Sequence, residues 1–173
     1  MLGSSVVTSY TAYIGAGSNL GKKMLNCKNG IVLLTDSRDT VLKGQSRFYK
    51  TEPVDYTAQD WFINCVVKIE TSLDPFALLH TLKSIERQIG RIDEPIRFGP
   101  RILDLDILLV DSLVINSSKL VVPHPRMHQR RFVLRPICDI DPTIIHPVLM
   151  KNMQSLLEML DDKKQRVVEY TCD

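Results

Sequence analysis

Cysteine is sparse in this chain: Cys27, Cys65, Cys138 and Cys172 lie far apart and form no CxxC pair. A zinc site or a disulfide framework needs closer, repeated spacing, so neither organises the fold, and free thiols in a reducing cytoplasm are expected. No apolar run approaches the ~18–20 residues of a membrane span. Residues 1–13 lack the basic-then-apolar order of a secretory signal. Charge of one sign is missing too. Twenty-two basic residues against 20 acidic ones leave +2, which predicts neither a polybasic membrane binder nor a nucleic-acid coat; electrostatic specialisation must be local. There is no GxxxxGK[ST], hence no P-loop. Repeats, low-complexity tracts and linker-like stretches are absent as well.

What is present reads as one globular domain over residues 1–173. Its 44% hydrophobic and 24% charged residues allow a sizeable core. Residues 10–18 (YTAYIGAGS) read as a strand entering a Gly-rich turn. Leu20, Met24, Cys27, Ile31 and Leu34 then recur at helical spacing, with Gly30 interrupting them. Residues 44–50 and 62–70 read as strands; in the second, alternation puts Phe62 and Asn64 on one face. Asp74-Pro75 opens a helix that carries Leu78, Leu82, Ile85 and Ile89 and stops at Gly90. A charged loop, 91–101, leads into the apolar strand ILDLDILLV, after which 111–125 is irregular. An Arg-rich segment at 126–135 opens a further helix. A last helix is expected over 152–161 and an edge strand over 165–170.

The chemistry concentrates around Asp104-Leu105-Asp106. On a strand the two aspartates share a face, about 6.6 Å apart at ~3.3 Å per residue, while Leu103, Leu105, Ile107 and Leu109 take the other. Two like charges on an apolar strand repel and are costly to bury. A divalent cation relieves both problems, and paired carboxylates with substrate phosphates suit Mg²⁺; a solvated edge strand is the alternative. Arg91, Arg97 and Arg101 lie upstream of the pair, and Arg126, Arg130, Arg131 and Arg135 downstream with His124 and His128. Guanidinium groups match phosphate oxygens, so metal-assisted phosphoryl transfer is the natural class. Pro123 and Pro125 bracket His124, which argues against a helix there and favours a hydrogen bond to phosphate over zinc ligation. Phe62, Asn64, Phe98 and Phe132 can form an aromatic slot with one amide for a flat heterocycle, although core packing is the default for phenylalanine. His80 and His146 carry no pattern and read as structural.

Together these segments resemble the 6-hydroxymethyl-7,8-dihydropterin pyrophosphokinase family of folate biosynthesis. The resemblance covers 12–148 and rests on AYIGAGSNLG, SRFYKTEPV, FINCVVKIET, IERQIGR, RFGPRILDLDILL and VPHPRMHQRRFVLRPICDI, in the family's order. It implies a ferredoxin-like α+β sandwich, an antiparallel sheet with packed helices. It also implies transfer of the pyrophosphoryl group of ATP to the pterin hydroxymethyl oxygen, with release of AMP. Asp104 and Asp106 become ligands of two Mg²⁺ ions held with ATP, and Arg91, Arg101 and His124 join them as catalytic residues. The implied pterin slot is Thr51, Val54, Phe62, Asn64 and Phe132. The implied ATP site is Lys83, Glu86, Phe98, Arg101, Ile107, Lys119, Val121, His124, Pro125 and Arg130. Loops 54–60 and 91–100 are expected to close over the nucleotide. Partners are then small molecules, with other folate-pathway enzymes as candidate associates, and neither nucleic acid nor membrane.

Some positions depart from the family pattern. Phe62 stands where Tyr is frequent, Phe98 where Trp is frequent, and Asp93 where a basic residue is frequent. Lys83, Lys119, Val121 and Pro125 also differ from the usual side chains. Two other readings use the same residues: a ferredoxin-like RNA-binding module tracking phosphates with its arginines, and a Mg²⁺-dependent phosphohydrolase. The near-neutral charge and scattered aromatics oppose the first, and the Asn64 slot opposes the second. The tail, 150–173, lies outside the resemblance and reads as a linker or a partner-contacting helix.

Overall fold

Alternating apolar residues build the strands, and the same residues decide what covers each side of the sheet. The computed structural model describes residues 8–54, 57–90, 99–161 and 165–171. Its first half runs β1 (Tyr10–Ser18), α1 (Lys23–Thr35), β2 (Thr40–Gln45), β3 (Tyr49–Thr51), β4 (Phe62–Thr71) and α2 (Pro75–Ile89). Its second half runs β5 (Asp104–Val110), β6 (Ile115–Asn116), β7 (Val121–Val122), α3 (Arg131–Ile140), α4 (Met153–Glu158) and β8 (Val167–Glu169). The main sheet is ordered β5-β1-β4-β3-β8, with β2 paired to β4 on the same side as β3. Neighbours are antiparallel throughout. Helix α1 links β1 to β2 and α2 links β4 to β5, so two βαβ units interleave. This is the expected ferredoxin-like α+β arrangement.

One face of the sheet packs on α1 and α2. Ala12, Ile14, Ala16, Cys65, Val67 and Ile69 meet Cys27, Ile31 and Leu34 of α1 and Leu78, Leu82 and Ile85 of α2. Helix α2 has the ends its sequence predicts: Asp74 Oδ1 accepts the Phe76 and Ala77 N–H groups, and Gly90 closes it at φ +108°. Gly30 does not shorten α1. A Cβ there would stand 2.6 Å from Leu103 Cδ2, so glycine lets the helix settle against the segment entering β5. The helix begins only at Lys23, which leaves Leu20 exposed before the apolar stripe.

The other face carries a second apolar cluster, in which Tyr13, Val66 and Leu108 meet Val133, Leu134 and Ile137 of α3 and Met153, Leu156 and Leu157 of α4. The described part of the tail therefore folds onto the domain, with α4 in this cluster and β8 paired to β3.

Three local readings are corrected. The strand expected over 44–50 is two strands, because Ser46 turns its hydroxyl inward to accept the Val66 N–H (2.9 Å), interrupting the ladder. Leu109 does not share the face of Leu105 and Ile107. The register passes from Ile14↔Ile107 to Tyr13↔Leu109, so Leu108 is an extra residue on β5. That bulge inverts the alternation and sends Leu109 to the second cluster and Val110 to the first. Residues 111–125 are not wholly irregular, since β6 and β7 form a short hairpin.

Candidate active site

Helices α3 and α4 leave one end of the second sheet face uncovered. In the β1 register, Gly17 lies opposite both Asn64 and Asp104, and Gly15 opposite both Val66 and Asp106. Two residues without side chains thus form a trough between β4 and β5. A cavity of about 230 Å³ opens over it. Close approach is the reason for glycine at 17, where a Cβ would overlap Asn64 Oδ1.

One part of the cavity is largely apolar, lined by Val54, Phe62, Val66, Leu108, Phe132 and Val133. Asn64 and Thr51 are the buried polar groups there. Asn64 Nδ2 donates to Thr51 Oγ1 at 2.7 Å, which orients the amide and leaves its carbonyl oxygen beside Gly17. The Arg130 guanidinium stands 5.4 Å from the centre of the Phe132 ring. All five residues of the expected pterin slot therefore meet in one cavity. A Gly17→Ala variant is expected to push Asn64 aside and weaken pterin affinity by roughly tenfold or more. Calorimetric titration checks this, and unchanged affinity would contradict it.

The other part is charged and holds Arg101, Asp104, Asp106, His124, Arg126 and Arg130. Arg101 Nη1 meets Asp104 Oδ2 at 2.7 Å. Burial, reinforced by the Asp104 charge, raises the Asp106 carboxyl above the usual carboxylate range. The protein thus offers two hard oxygen donors at a place that wants positive charge. Among the described residues no cluster of three or more acidic, His or Cys side chains forms. A carboxylate pair suits a cation that completes its shell with water and substrate phosphate, as Mg²⁺ does.

His124 lies on an extended loop tied to β5 by its own N–H, which donates to the Leu108 carbonyl at 2.9 Å. Its Nδ1 accepts the Arg126 N–H at 3.2 Å, so in the neutral ring Nε2 carries the proton. Burial, then the charges of Arg130 and Arg126, lower its pKa to about 4. The unfolded chain takes up this proton near 6.5. Stability from this group is full above that pH and is lost as the pH falls toward about 4. The urea midpoint is expected to drop from pH 7 to 5, and to drop less in His124→Gln. A His124 imidazole resonance, identified by its loss in His124→Gln, that titrates near 6.5 in the native protein would contradict the assignment.

The other expected ATP residues stand elsewhere. Buried Glu86 accepts the Leu105 N–H (2.7 Å) and the Lys83 ammonium (2.8 Å), and Lys83 also reaches the Leu105 carbonyl (3.3 Å). Both sit against the outer edge of β5. The Ile107 side chain enters the α1–α2 core. Val121 is in β7, while Lys119 and Pro125 are exposed before and after it. Arg91 and Phe98 lie outside the described residues, as do Asp93 and Arg97. Gly15, Gly17 and Gln59 line the cavity although they were not expected there, and Arg126 joins it from the arginine group read beside the aspartates. Gly15 and Gly17 were legible as the β1 positions sharing parity with Asp104 and Asp106, had the pairing been known. His80 is exposed; His146 is buried and its Nδ1 accepts the Val148 and Leu149 N–H groups, a structural role. Cys27, Cys65 and Cys138 are free thiols.

A ferredoxin-like sheet here sets a carboxylate pair, arginines and a neutral histidine beside an amide-bearing aromatic slot, an arrangement suited to phosphate chemistry next to a flat ligand. Comparison with known proteins makes this specific. Residues 13–142 match the sequence model of the 7,8-dihydro-6-hydroxymethylpterin-pyrophosphokinase family, HPPK, and the chain belongs to that family. It is 43% identical over 129 residues to the 2-amino-4-hydroxy-6-hydroxymethyldihydropteridine pyrophosphokinase of Bacillus subtilis, covering 75% of this chain and 77% of that protein. A folic acid synthesis protein of Dictyostelium discoideum is 42% identical over 137 residues, 79% of this chain but only 20% of that longer protein. Among solved structures, HPPK-DHPS of Plasmodium falciparum superposes with a TM-score of 0.72 at 16% identity, over 90% of this chain and 46% of that one. The chain thus spans most of the bacterial enzyme and a fifth to a half of the larger relatives. No helix among the described residues is long and apolar enough to cross a membrane.

Proposed function

We propose that the cavity carries out the family's reaction, moving the pyrophosphoryl group of ATP onto the hydroxymethyl oxygen of 6-hydroxymethyl-7,8-dihydropterin and releasing AMP. The observation that carries this reading is the single cavity in which the Asn64–Thr51 slot adjoins the Asp104–Asp106 pair. Phe62 and Phe132 offer ring faces to the pterin, and Asn64 offers donor and acceptor to its edge. Asp104 and Asp106 would hold the Mg²⁺ ions, whose charge would help neutralise the triphosphate and the departing AMP. Arg101 and Arg130 bind equatorial phosphate oxygens, and the His124 Nε2–H donates to a phosphate oxygen without adding a proton to the balance. Among the described residues, no side chain of the charged end is placed as a dedicated base. Positioning the alcohol in line with the β-phosphorus supplies much of the rate, with the hydroxyl proton passing to solvent or phosphate.

Ile107 can meet ATP only through its backbone. Leu105 turns its N–H and carbonyl away from β1, toward Glu86 and Lys83, and alternation gives Ile107 the same outward edge. Glu86 and Lys83 occupy the neighbouring stretch and so flank that edge. The long folate-synthesis relatives further suggest that this domain works beside other folate-pathway enzymes. Calorimetry tests the two-part cavity. Asn64→Ala is expected to lose pterin binding and keep binding of a non-hydrolysable Mg²⁺–ATP analogue. Loss of both, or of neither, would contradict it.

A further inference from the structure

Arg130 stands where a 3₁₀ turn, Met127–Gln129, passes into α3, and its own side chain does not cap the helix. The two peptide groups that flank it are nevertheless fixed at both ends. In the first, the Arg130 N–H donates to the Met127 carbonyl at 3.2 Å, and the Gln129 carbonyl accepts from Gln165 Nε2 at 2.8 Å. In the second, the Arg130 carbonyl accepts the Val133 and Leu134 N–H groups, each at 3.0 Å, and the Arg131 N–H donates to Gln165 Oε1 at 2.7 Å. One amide side chain, with its acceptor and donors side by side, thus closes both groups. The Arg131 N–H is one of those a helix start leaves without a partner inside the helix.

Gln165 is itself held in place. It precedes β8, in which Val167 pairs with Thr51 of β3. The neighbouring Arg166 carbonyl accepts the Glu52 N–H at 3.2 Å, and the Arg166 guanidinium lies 5.2 Å from the centre of the Trp61 ring. Residues 165–171 do not line the cavity, so any influence of Gln165 on the reaction passes through the groups it holds. They also lie beyond residues 13–142, the span that matches the family.

We propose that Gln165 is a positioning residue for Arg130, fixing from the tail the backbone that aims this guanidinium at substrate phosphate. An arginine loses side-chain freedom when it engages phosphate oxygens. With both flanking peptides already fixed, no backbone freedom is lost in addition, and the guanidinium is presented in place. The inference rests on the pyrophosphokinase reading, since a phosphate-bearing substrate is what gives Arg130 its task.

The test is a double-mutant cycle on the full chain between Gln165 and Arg130, read as kcat/KM for ATP from AMP formation. Gln165→Ala is expected to lower kcat/KM about tenfold, the size that follows from leaving two backbone groups without their partner. Gln165→Met, which keeps the length but makes neither hydrogen bond, is expected to do the same. In the Arg130→Ala background the same changes are expected to cost less than about twofold, because the group they position is gone. Calorimetric affinity for a Mg²⁺–ATP analogue gives the same comparison in variants that turn over too slowly to follow. A merely structural role would lower the melting temperature and cost the same factor in both backgrounds, which would overturn the inference. Unchanged kcat/KM in both Gln165 variants would overturn it too. Wild-type protein that forms no AMP from ATP and pterin would overturn the pyrophosphokinase reading and the inference with it.

Discussion

Asp104→Ala and Asp106→Ala are each expected to slow pyrophosphoryl transfer by about a thousandfold or more. A bound divalent ion stabilises the charge of a phosphoryl transition state by several kcal/mol, and roughly 4 kcal/mol corresponds to a factor near 10³. Neither aspartate can stand in for the other, because they face different partners. Asp104 is paired with Arg101 at 2.7 Å, whereas the Asp106 carboxyl is raised by burial and by Asp104. The fold should survive both changes. Removing Asp106 removes a charge that the ligand-free protein holds at a cost, so the melting temperature of Asp106→Ala is expected to match or exceed that of the wild type. Chemistry lost at unchanged or higher stability is the signature of a metal-holding residue. Chemistry and stability lost together would instead mark the aspartate as a structural ion-pair partner.

Arg101→Ala is expected to lower kcat by roughly 10³–10⁵, in the range seen when an arginine that stabilises a transferring phosphoryl group is removed. The backbone of residue 101 stays clamped to Asn19 whatever its side chain, so the loss reports the guanidinium itself. Arg101→Lys should recover little, because an ammonium lacks the planar fork that meets two oxygens at once. Pterin affinity should change far less than kcat. A variant that loses pterin affinity with kcat intact would place Arg101 in binding and not in charge stabilisation.

The contrast between the elements shows how far a sequence carries such an account. Helix α2 was fully legible, because Asp74, Pro75 and Gly90 act locally through the first and last turns. The face shared by Phe62 and Asn64 was legible from alternation, as was the face shared by Asp104 and Asp106. The bulge at Leu108 was not, since it depends on how β5 registers against β1, ninety-odd residues away in the chain. The break at Ser46 was hidden for the same reason: its hydroxyl finds Val66 only once β4 is in place.

The site divides in the same way. Residue types and spacing pointed to a carboxylate pair among arginines, and family resemblance pointed to the pterin slot. Neither could reveal that Gly17 is kept small by Asn64, or that an N–H from Arg126 fixes the proton of His124 on Nε2. Those facts arise from contacts between groups that sequence order does not bring together. The resemblance also assigned Lys83, Glu86 and Ile107 to ATP by position, whereas the fold places Lys83 and Glu86 against the Leu105 backbone and the Ile107 side chain in the α1–α2 core.

The central claim is that one cavity joins a pterin slot to a charge arrangement for pyrophosphoryl transfer. Its most direct test is to incubate the protein with Mg²⁺, ATP and 6-hydroxymethyl-7,8-dihydropterin and to separate the nucleotides. The account predicts AMP in equal amount to a pterin diphosphate, with both lost in Asp104→Ala. Formation of ADP, or phosphate released without pterin, would contradict it.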